Sequence, residues 1–424
     1  GRTAVLIQGA RRVGKSTIAE KFAANEYETY ILVDFAACST EIRDLFNDVS
    51  DLNRIFMRLQ LEYGTELKER KSAIIFDEVQ LAPKARQAIK YLVKDGRYDY
   101  IETGSLISIR KNVKNILIPS EEVKLHMYPM DYEEFKWALG DTATIKLLQN
   151  CFNGRTSLGD ATNRKLMRDF RLYMLVGGMP QAVSAYLETN NLEKVDSVKR
   201  SIITLYEDDF NKIDQSGNIS KMFRQIPAQL TSNANRYLTW RATDGTRNSN
   251  LAELISEMKE SMVVNMAYHA NDPSAGMALH QAPDKYKMFV GDTGLFVTLA
   301  FWDKKFTDNT IYHKLLSDKL NADLGYVYEN VIAQMLKAAG HELYYYTFPT
   351  DSGKHNYEVD FLIADEDKVS PVEVKSSGYK AHASLDAFCG KFSARIKNKY
   401  LIYTKDMRKE ADMLYMPVYM TMFL

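Results

Sequence analysis

Between Thr3 and Phe22 the chain passes from an apolar run of strand type, Thr3-Ala4-Val5-Leu6-Ile7-Gln8, through Gly9-Ala10-Arg11-Arg12-Val13-Gly14-Lys15-Ser16, into Thr17-Ile18-Ala19-Glu20-Lys21-Phe22, whose spacing is helical. Strand, glycine loop and helix in that order are the context that G-x-x-x-x-G-K-[ST] needs before it reads as a phosphate-binding loop. Gly9 and Gly14 are expected to take positive φ. That turns the main-chain N–H groups of Gly9, Ala10, Arg11, Arg12, Val13, Gly14, Lys15, Ser16 and Thr17 round a phosphate. The new helix adds the positive end of its dipole at the same point. Lys15 is then expected on the β- and γ-phosphates, and the Ser16 hydroxyl on Mg²⁺.

Alternating strands and helices follow, which predicts a doubly wound α/β domain on a parallel sheet. Tyr30–Phe35 reads as a second strand, Ile42–Leu61 as one helix, and Ser72–Phe76 as a third strand. The third strand is nearly all apolar, as burial on both faces demands. Tyr98–Glu102 and Val123–Met127 complete the set. The third strand runs into Asp77-Glu78, a Walker B element at the end of a strand where ligands of such sheets bind. Asp77 is expected to hold Mg²⁺, and Glu78 to orient or deprotonate the attacking water. Thr103 and Ser105, ending the next strand, are expected near the γ-phosphate; the same Thr-Gly-Ser also suits an ordinary turn. Arg11, Arg12, Arg86 and Arg110 lie in this segment, and none is assigned as an arginine finger.

From Asp131 the pattern is mostly helical, past Tyr173–Pro180, and from Ile219 to Thr298 it reads as short helices and then a hairpin around Asn271–Gly276. A helix over Gly325–Ala339 precedes strand-like runs at Glu342–Thr347, Tyr357–Ala364, Val369–Val374 and Lys399–Tyr403. Glu358-Val359-Asp360-Phe361 and Val372-Glu373-Val374-Lys375 alternate polar with apolar, so each strand turns its charged residues to one side. If the two strands pair, Asp360 and Glu373 are expected to converge on a divalent ion, with Glu329 as a further ligand and Lys375 beside them. That is the pattern of a Mg²⁺-dependent phosphodiester nuclease. Lys380, Lys391, Arg395, Lys397, Lys399, Lys405, Arg408 and Lys409, interleaved with Tyr379, Phe388, Phe392 and Tyr400, suit either a phosphate-binding face or a solvated helix over core aromatics.

Length, charge and cysteine usage bound these readings. A chain of 424 residues carries two or three domains. Its net charge of +0 excludes a global field toward nucleic acid or membrane, so any basic face is local. Cys38, Cys151 and Cys389 have neither metal-site nor disulfide spacing. With no apolar run near the roughly 20 residues of a membrane span, a cytoplasmic protein is expected. The chain opens at Gly1 on its first strand, so further residues are expected upstream.

The chain resembles prokaryotic AAA-type ATPases whose C-terminal domain, long of unknown function, is similar to PD-(D/E)xK nucleases. Gly9–Thr17, Ile74–Gln80, Thr103-Gly104-Ser105, Leu125–Phe135, Tyr173–Pro180, Lys285–Leu295, Tyr328–Leu336, Glu358–Phe361 and Val372–Ser376 carry the resemblance, in the family's order. It implies a P-loop AAA-type ATPase domain over 1–135 and a helical linker over 136–215. A winged-helix-like domain over 216–317 and a small restriction-endonuclease-like α/β domain over 318–424 would follow. It also implies ATP and Mg²⁺ as cofactors, Lys15, Ser16, Asp77 and Glu78 as ATPase positions, and Glu329, Asp360, Glu373 and Lys375 as nuclease-like ones. The family's frequent Gly-Arg pair before Leu125 is replaced by Ile118-Pro119-Ser120-Glu121, and the proline usual before Asp360 is missing. The expected function is ATP hydrolysis coupled to DNA handling through the winged helix and the C-terminal basic face, with a metal-dependent DNase at the C-terminus. Its alternatives are a nucleotide-controlled switch whose last domain binds without cutting, and a homo-oligomeric motor.

Overall fold

The computed structural model describes residues 3–105, 119–232, 236–239, 251–303, 315–316, 325–350 and 352–424. Two units form: Gly1–Tyr128 with Glu260–Met262, and Pro129–Lys259 with Val263–Leu424.

The first unit is a parallel sheet with helices on both faces. Its strands are β1 (Ala4–Gly9), β2 (Thr29–Asp34), β3 (Ser72–Asp77), β4 (Asp99–Gly104) and β5 (Glu122–Met127), in the order β2-β3-β4-β1-β5. Every residue of β3 is buried, because both faces are covered. On one face Ala73, Ile75 and Ile101 meet Ala19 and Ala23 of α1 (Lys15–Glu26). On the other, Ile74, Phe76 and Tyr100 meet Ile55, Phe56 and Leu59 of α2 (Leu52–Tyr63) and Ile89 and Leu92 of α3 (Pro83–Asp95). The single helix expected over 42–61 is broken. Thr40–Asp44 ends in a tight turn at Leu45–Asn47, and Asp48 Oδ1 then accepts from the Ser50 N–H at 2.9 Å. Asp51 caps α2 by accepting from the Arg54 N–H at 3.1 Å. Short carboxylate side chains compete with the helical ladder there, and apolar periodicity does not register them.

In the second unit α4 (Asp160–Val176) and α5 (Leu192–Ile213) precede a mixed sheet. Its strands are β6 (Val264–Ala270), β7 (Gln281–Val290), β8 (Leu343–Pro349), β9 (Asn356–Asp365), β10 (Lys368–Val374), β11 (Lys399–Tyr403), β12 (Arg408–Glu410) and β13 (Met413–Pro417). Their order is β12-β13-β11-β10-β9-β8-β6-β7. The expected hairpin is β6 and β7. It joins the C-terminal strands, because β6 pairs in parallel with β8 through Ala267–Leu343, Tyr268–Tyr344 and His269–Tyr345. Helix α6 (Thr293–Ala300) follows β7. Helix α7 (Gly325–Ala338) packs on β6, β7, β8 and β10. Leu385 and Phe388 of α8 (Ala383–Lys391) join Tyr346, Val359, Leu362 and Leu401 in the core of the other face.

Residues of four stretches singled out in the sequence meet inside this unit. The Gly178 N–H donates to Asp292 Oδ2 at 2.6 Å, and the Met130 N–H donates to the Gly178 carbonyl at 2.8 Å. Tyr173 Oη donates to the Met130 carbonyl at 3.0 Å and accepts from Gln334 Nε2 at 3.0 Å. Beside them the buried Lys199 ammonium donates to the Leu175 and Gly294 carbonyls at 2.6 and 3.2 Å. These stretches serve packing: buried polar groups satisfy one another where four chain segments cross.

Candidate functional site

The N-terminal loop takes its shape from two glycines with different duties. Gly14 has φ 100° and closes the loop in the left-handed region; Arg12, with φ 70°, shares that conformation. Gly9 is not among the positive-φ residues, contrary to expectation. It is needed for close approach, since a Cβ there would lie 2.4 Å from the Met127 carbonyl on β5. Lys15, only 6% exposed, folds back to donate to the Gly9 and Ala10 carbonyls at 3.2 and 2.9 Å. Burial pushes its ammonium below the ordinary value, while Glu78 and Asp77 pull the other way and Arg11 adds to the lowering. Arg11, Arg12 and Thr17 are exposed, whereas Ala10 and Val13 are buried.

Ser16 Oγ donates to Asp77 Oδ1 at 2.6 Å. Between β3, which ends in Asp77, and β1, whose loop leads to Ser16 on α1, lies β4, which pairs with both strands. From it the buried Thr103 hydroxyl donates to the same Asp77 oxygen and accepts from the Glu78 N–H at 3.2 Å. Glu78 itself sits at φ 54°, a conformation costly for a side-chain-bearing residue, and Gln80 Nε2 donates to its Oε2. Thr103 therefore fixes the acidic pair from behind, a role that spacing alone did not reveal. Ser105, half-buried, stands one residue beyond β4. Arg86 forms a buried bidentate pair with Glu122, Nε to Oε1 at 2.9 Å and Nη2 to Oε2 at 2.8 Å, which excludes it as a finger. Arg110 lies outside the described residues.

The donor set fits a nucleotide with Mg²⁺. Among the described residues a buried ammonium donates only to loop carbonyls, and a hydroxyl and a carboxylate meet at the strand end. Ser16 and Asp77 would hold the ion, which supplies charge neutralisation to the transferring phosphoryl group.

In the second unit β9 and β10 pair antiparallel as far as Phe361 and Val372, and the Val374 N–H donates to Asp360 Oδ2 at 2.7 Å. Lys375 Nζ lies 2.8 Å from Glu373 Oε1, while Glu373 Oε2 is buried with no hydrogen bond among the described residues. Convergence of Glu329, Asp360 and Glu373 on one ion is not found: among the described residues no three His, Cys, Asp or Glu side chains gather closely enough to hold a metal. A residue that the sequence reading passed over lies there instead. The buried Lys287 of β7 forms an ion pair with Glu358 and stands 3.7 Å from Glu329 Oε2. Burial lowers the Lys287 pKa, but Glu329, Glu358 and Asp360 outweigh it and hold the ammonium charged. The signal available was a lone lysine in the otherwise apolar Tyr286–Val290.

The C-terminal basic stretch is largely neutralised as well. Arg395 pairs with Asp272, Lys397 with Asp365 at 3.0 Å and Glu366 at 2.8 Å, and Lys399 with Asp412 at 2.5 Å. Lys391 lies over Phe348 and Phe392, whose rings, with Phe388 and Tyr379, belong to the core or pack on it. Lys380, Lys405 and Lys409 make no ion pair among the described residues.

A parallel sheet that sets a threonine-bearing strand between its loop strand and its acidic strand is the architecture of a P-loop ATPase domain. Accordingly, residues 1–136 match the family described as an AAA domain, and this unit is an AAA-type P-loop ATPase. Residues 167–305 and 324–421 match two families described as domains of unknown function, DUF8612 and DUF4143. The eight-stranded sheet draws strands from both segments. No curated protein matches the chain. Similar solved structures include Drosophila ORC bound to DNA, at 12% identity over 67% of this chain and 85% of that one, TM-score 0.26. Another is a STAND signal-transduction ATPase with a tetratricopeptide repeat sensor from Pyrococcus horikoshii (12%, 78% and 46%, 0.23). Cdc6p from Pyrobaculum aerophilum is a third (14%, 75% and 88%, 0.22). These likenesses are remote, and the class rests on the sheet order and the loop. No helix among the described residues is long and apolar enough to cross a membrane.

Proposed function

We propose that the chain hydrolyses ATP with Mg²⁺ and uses its nucleotide state to control a C-terminal nuclease-like module that holds DNA without cutting it. The observation that carries the first half is the contact of Ser16 with Asp77, braced by Thr103. Lys15 leaves its carbonyls for the β- and γ-phosphates, and the loop N–H groups orient the chain of phosphates. Glu78, aimed by its left-handed backbone and steadied by Gln80, positions the attacking water and takes its proton.

Lys287 favours the non-cutting reading, because an ammonium among Glu329, Glu358 and Asp360 already supplies the charge that a divalent ion would bring. The test is ATP turnover with and without DNA, run beside a plasmid-nicking assay in Mg²⁺ and Mn²⁺. Turnover that responds to DNA, with no nicking, is the expected result. Nicking that survives Lys15→Ala but vanishes with Asp360→Ala would restore the nuclease.

A further inference from the structure

Two residues of the C-terminal basic stretch, Lys405 and Arg408, face arginines that the sequence reading did not single out. A cavity of about 1200 Å³ opens between α4 and the segment that joins β11 to β12. Arg164, Arg168 and Arg171 line one wall, at the spacing that puts residues on one helical face. Lys405 and Arg408 line the other. Arg164 and Arg168 are exposed and, like Lys405, make no ion pair among the described residues. Arg171 is buried, with Nε 3.4 Å from Tyr328 Oη.

Two carboxylates also line the cavity, Asp160 and Asp406. Asp406 is occupied in holding the walls together. It accepts from Ser157 Oγ at 2.5 Å and from the Leu158, Gly159 and Met407 N–H groups at 3.1, 2.7 and 2.7 Å. Asn163 donates to the Thr404 carbonyl at 3.1 Å and accepts from Tyr419 Oη at 2.8 Å. The cations thus project from two walls already fixed to each other, so little ordering cost falls on a ligand. The Arg408 guanidinium is held 5.2 Å over the Tyr379 ring and 4.4 Å over the Tyr415 ring, and pairs with Glu410 at 3.1 Å.

We propose that this cavity holds the phosphate backbone of an unpaired nucleic-acid strand, a placement that rests on the DNA-handling reading above. From Arg164 to Arg171 the helix rises about 10 Å, so its arginines address successive phosphates along a strand rather than one group. Tyr379, half-buried, lines the cavity beside Arg408 and is the aromatic ring that a base of such a strand would meet there.

The test is anisotropy of a fluorescent single-stranded dodecathymidylate bound by the full chain at several salt concentrations. Arg164→Ala with Arg168→Ala is expected to weaken binding about tenfold and to flatten the plot of log affinity against log salt by about 1.4, two phosphate contacts at about 0.7 each. Basal ATP turnover is expected to stay at the wild-type value, which shows that the variant is folded. A control, Lys194→Ala with Lys354→Ala, is expected to bind as the wild type does. Undiminished binding by the arginine double variant overturns the cavity and leaves the DNA reading standing. Failure of the wild-type chain to bind the oligonucleotide, with or without ATP, removes both. Competition by inorganic triphosphate that is lost in the double variant, without oligonucleotide binding, would assign the cavity to a small anion and overturn the proposal.

Discussion

Ser16 at the start of α1 and Asp77 at the end of β3 meet at 2.6 Å, although β4 lies between β3 and the strand β1 whose loop leads into α1. Thr103 on that intervening strand closes the arrangement by donating to the same Asp77 oxygen. A strand-end carboxylate held by two hydroxyls is set in place before any ligand arrives, and such preorganisation is what phosphoryl transfer asks of a protein.

Thr103→Val removes the hydroxyl that braces Asp77 and accepts from the Glu78 N–H, while keeping the shape of the side chain. Steady-state kinetics are expected to show kcat for ATP lowered about tenfold with KM little changed, as misplacement without loss of binding would do. A rise in KM alone would mean that Thr103 serves nucleotide binding.

Glu78→Gln keeps the side chain's size and removes its basicity. Nucleotide affinity measured by calorimetry should hold, while turnover falls roughly 100-fold or more.

Glu102 on β4 is 0% exposed, and neither carboxylate oxygen has a hydrogen bond among the described residues. Burial, and then Glu122, raise its pKa well above the ordinary value, against the opposing charge of Arg86. The folded state therefore holds this proton at pH values where the unfolded chain has released it. Its contribution to stability is present at low pH and shrinks as pH climbs past the unfolded value near 4.3. Thermal melts should show Glu102→Gln gaining on the wild type steadily from pH 5 to pH 8. A difference that does not change with pH would contradict this.

Lys287→Met leaves Glu329, Glu358 and Asp360 without their central cation. Urea unfolding of the second unit should show a loss of about 3–5 kcal/mol, recovered in part when Glu358→Gln is added. An unchanged midpoint would mean that the cluster is neutral without the lysine.

Gly178→Ala places a Cβ 2.0 Å from the Met130 carbonyl, against backbone that has no room to move. Thermal unfolding is expected to show a loss of about 3 kcal/mol or more.

What the sequence made legible was local. Gly9 to Ser16 and Asp77-Glu78 are contiguous, and their chemistry follows from strand and helix signals on either side. The bond from Thr103 to Asp77 depends on strand order, which adjacent residues do not encode. Lys287 looked like one more lysine on a strand, and only the parallel pairing of β6 with β8 brings its hairpin into the sheet that carries Asp360. Arg164 and Arg168 have the spacing of any solvated helical face, and the wall they complete lies far along the chain. Conversely, Arg395, Lys397 and Lys399 read as a basic run, but their partners Asp272, Asp365 and Asp412 lie at other points in the sequence.

The most direct measurement is steady-state ATP turnover by the full chain and by Lys15→Ala at saturating MgATP. The wild type is expected to turn over ATP and the variant to fall at least about 100-fold, toward background. Equal turnover by the two proteins would contradict the assignment of the Gly9–Ser16 loop as the nucleotide site.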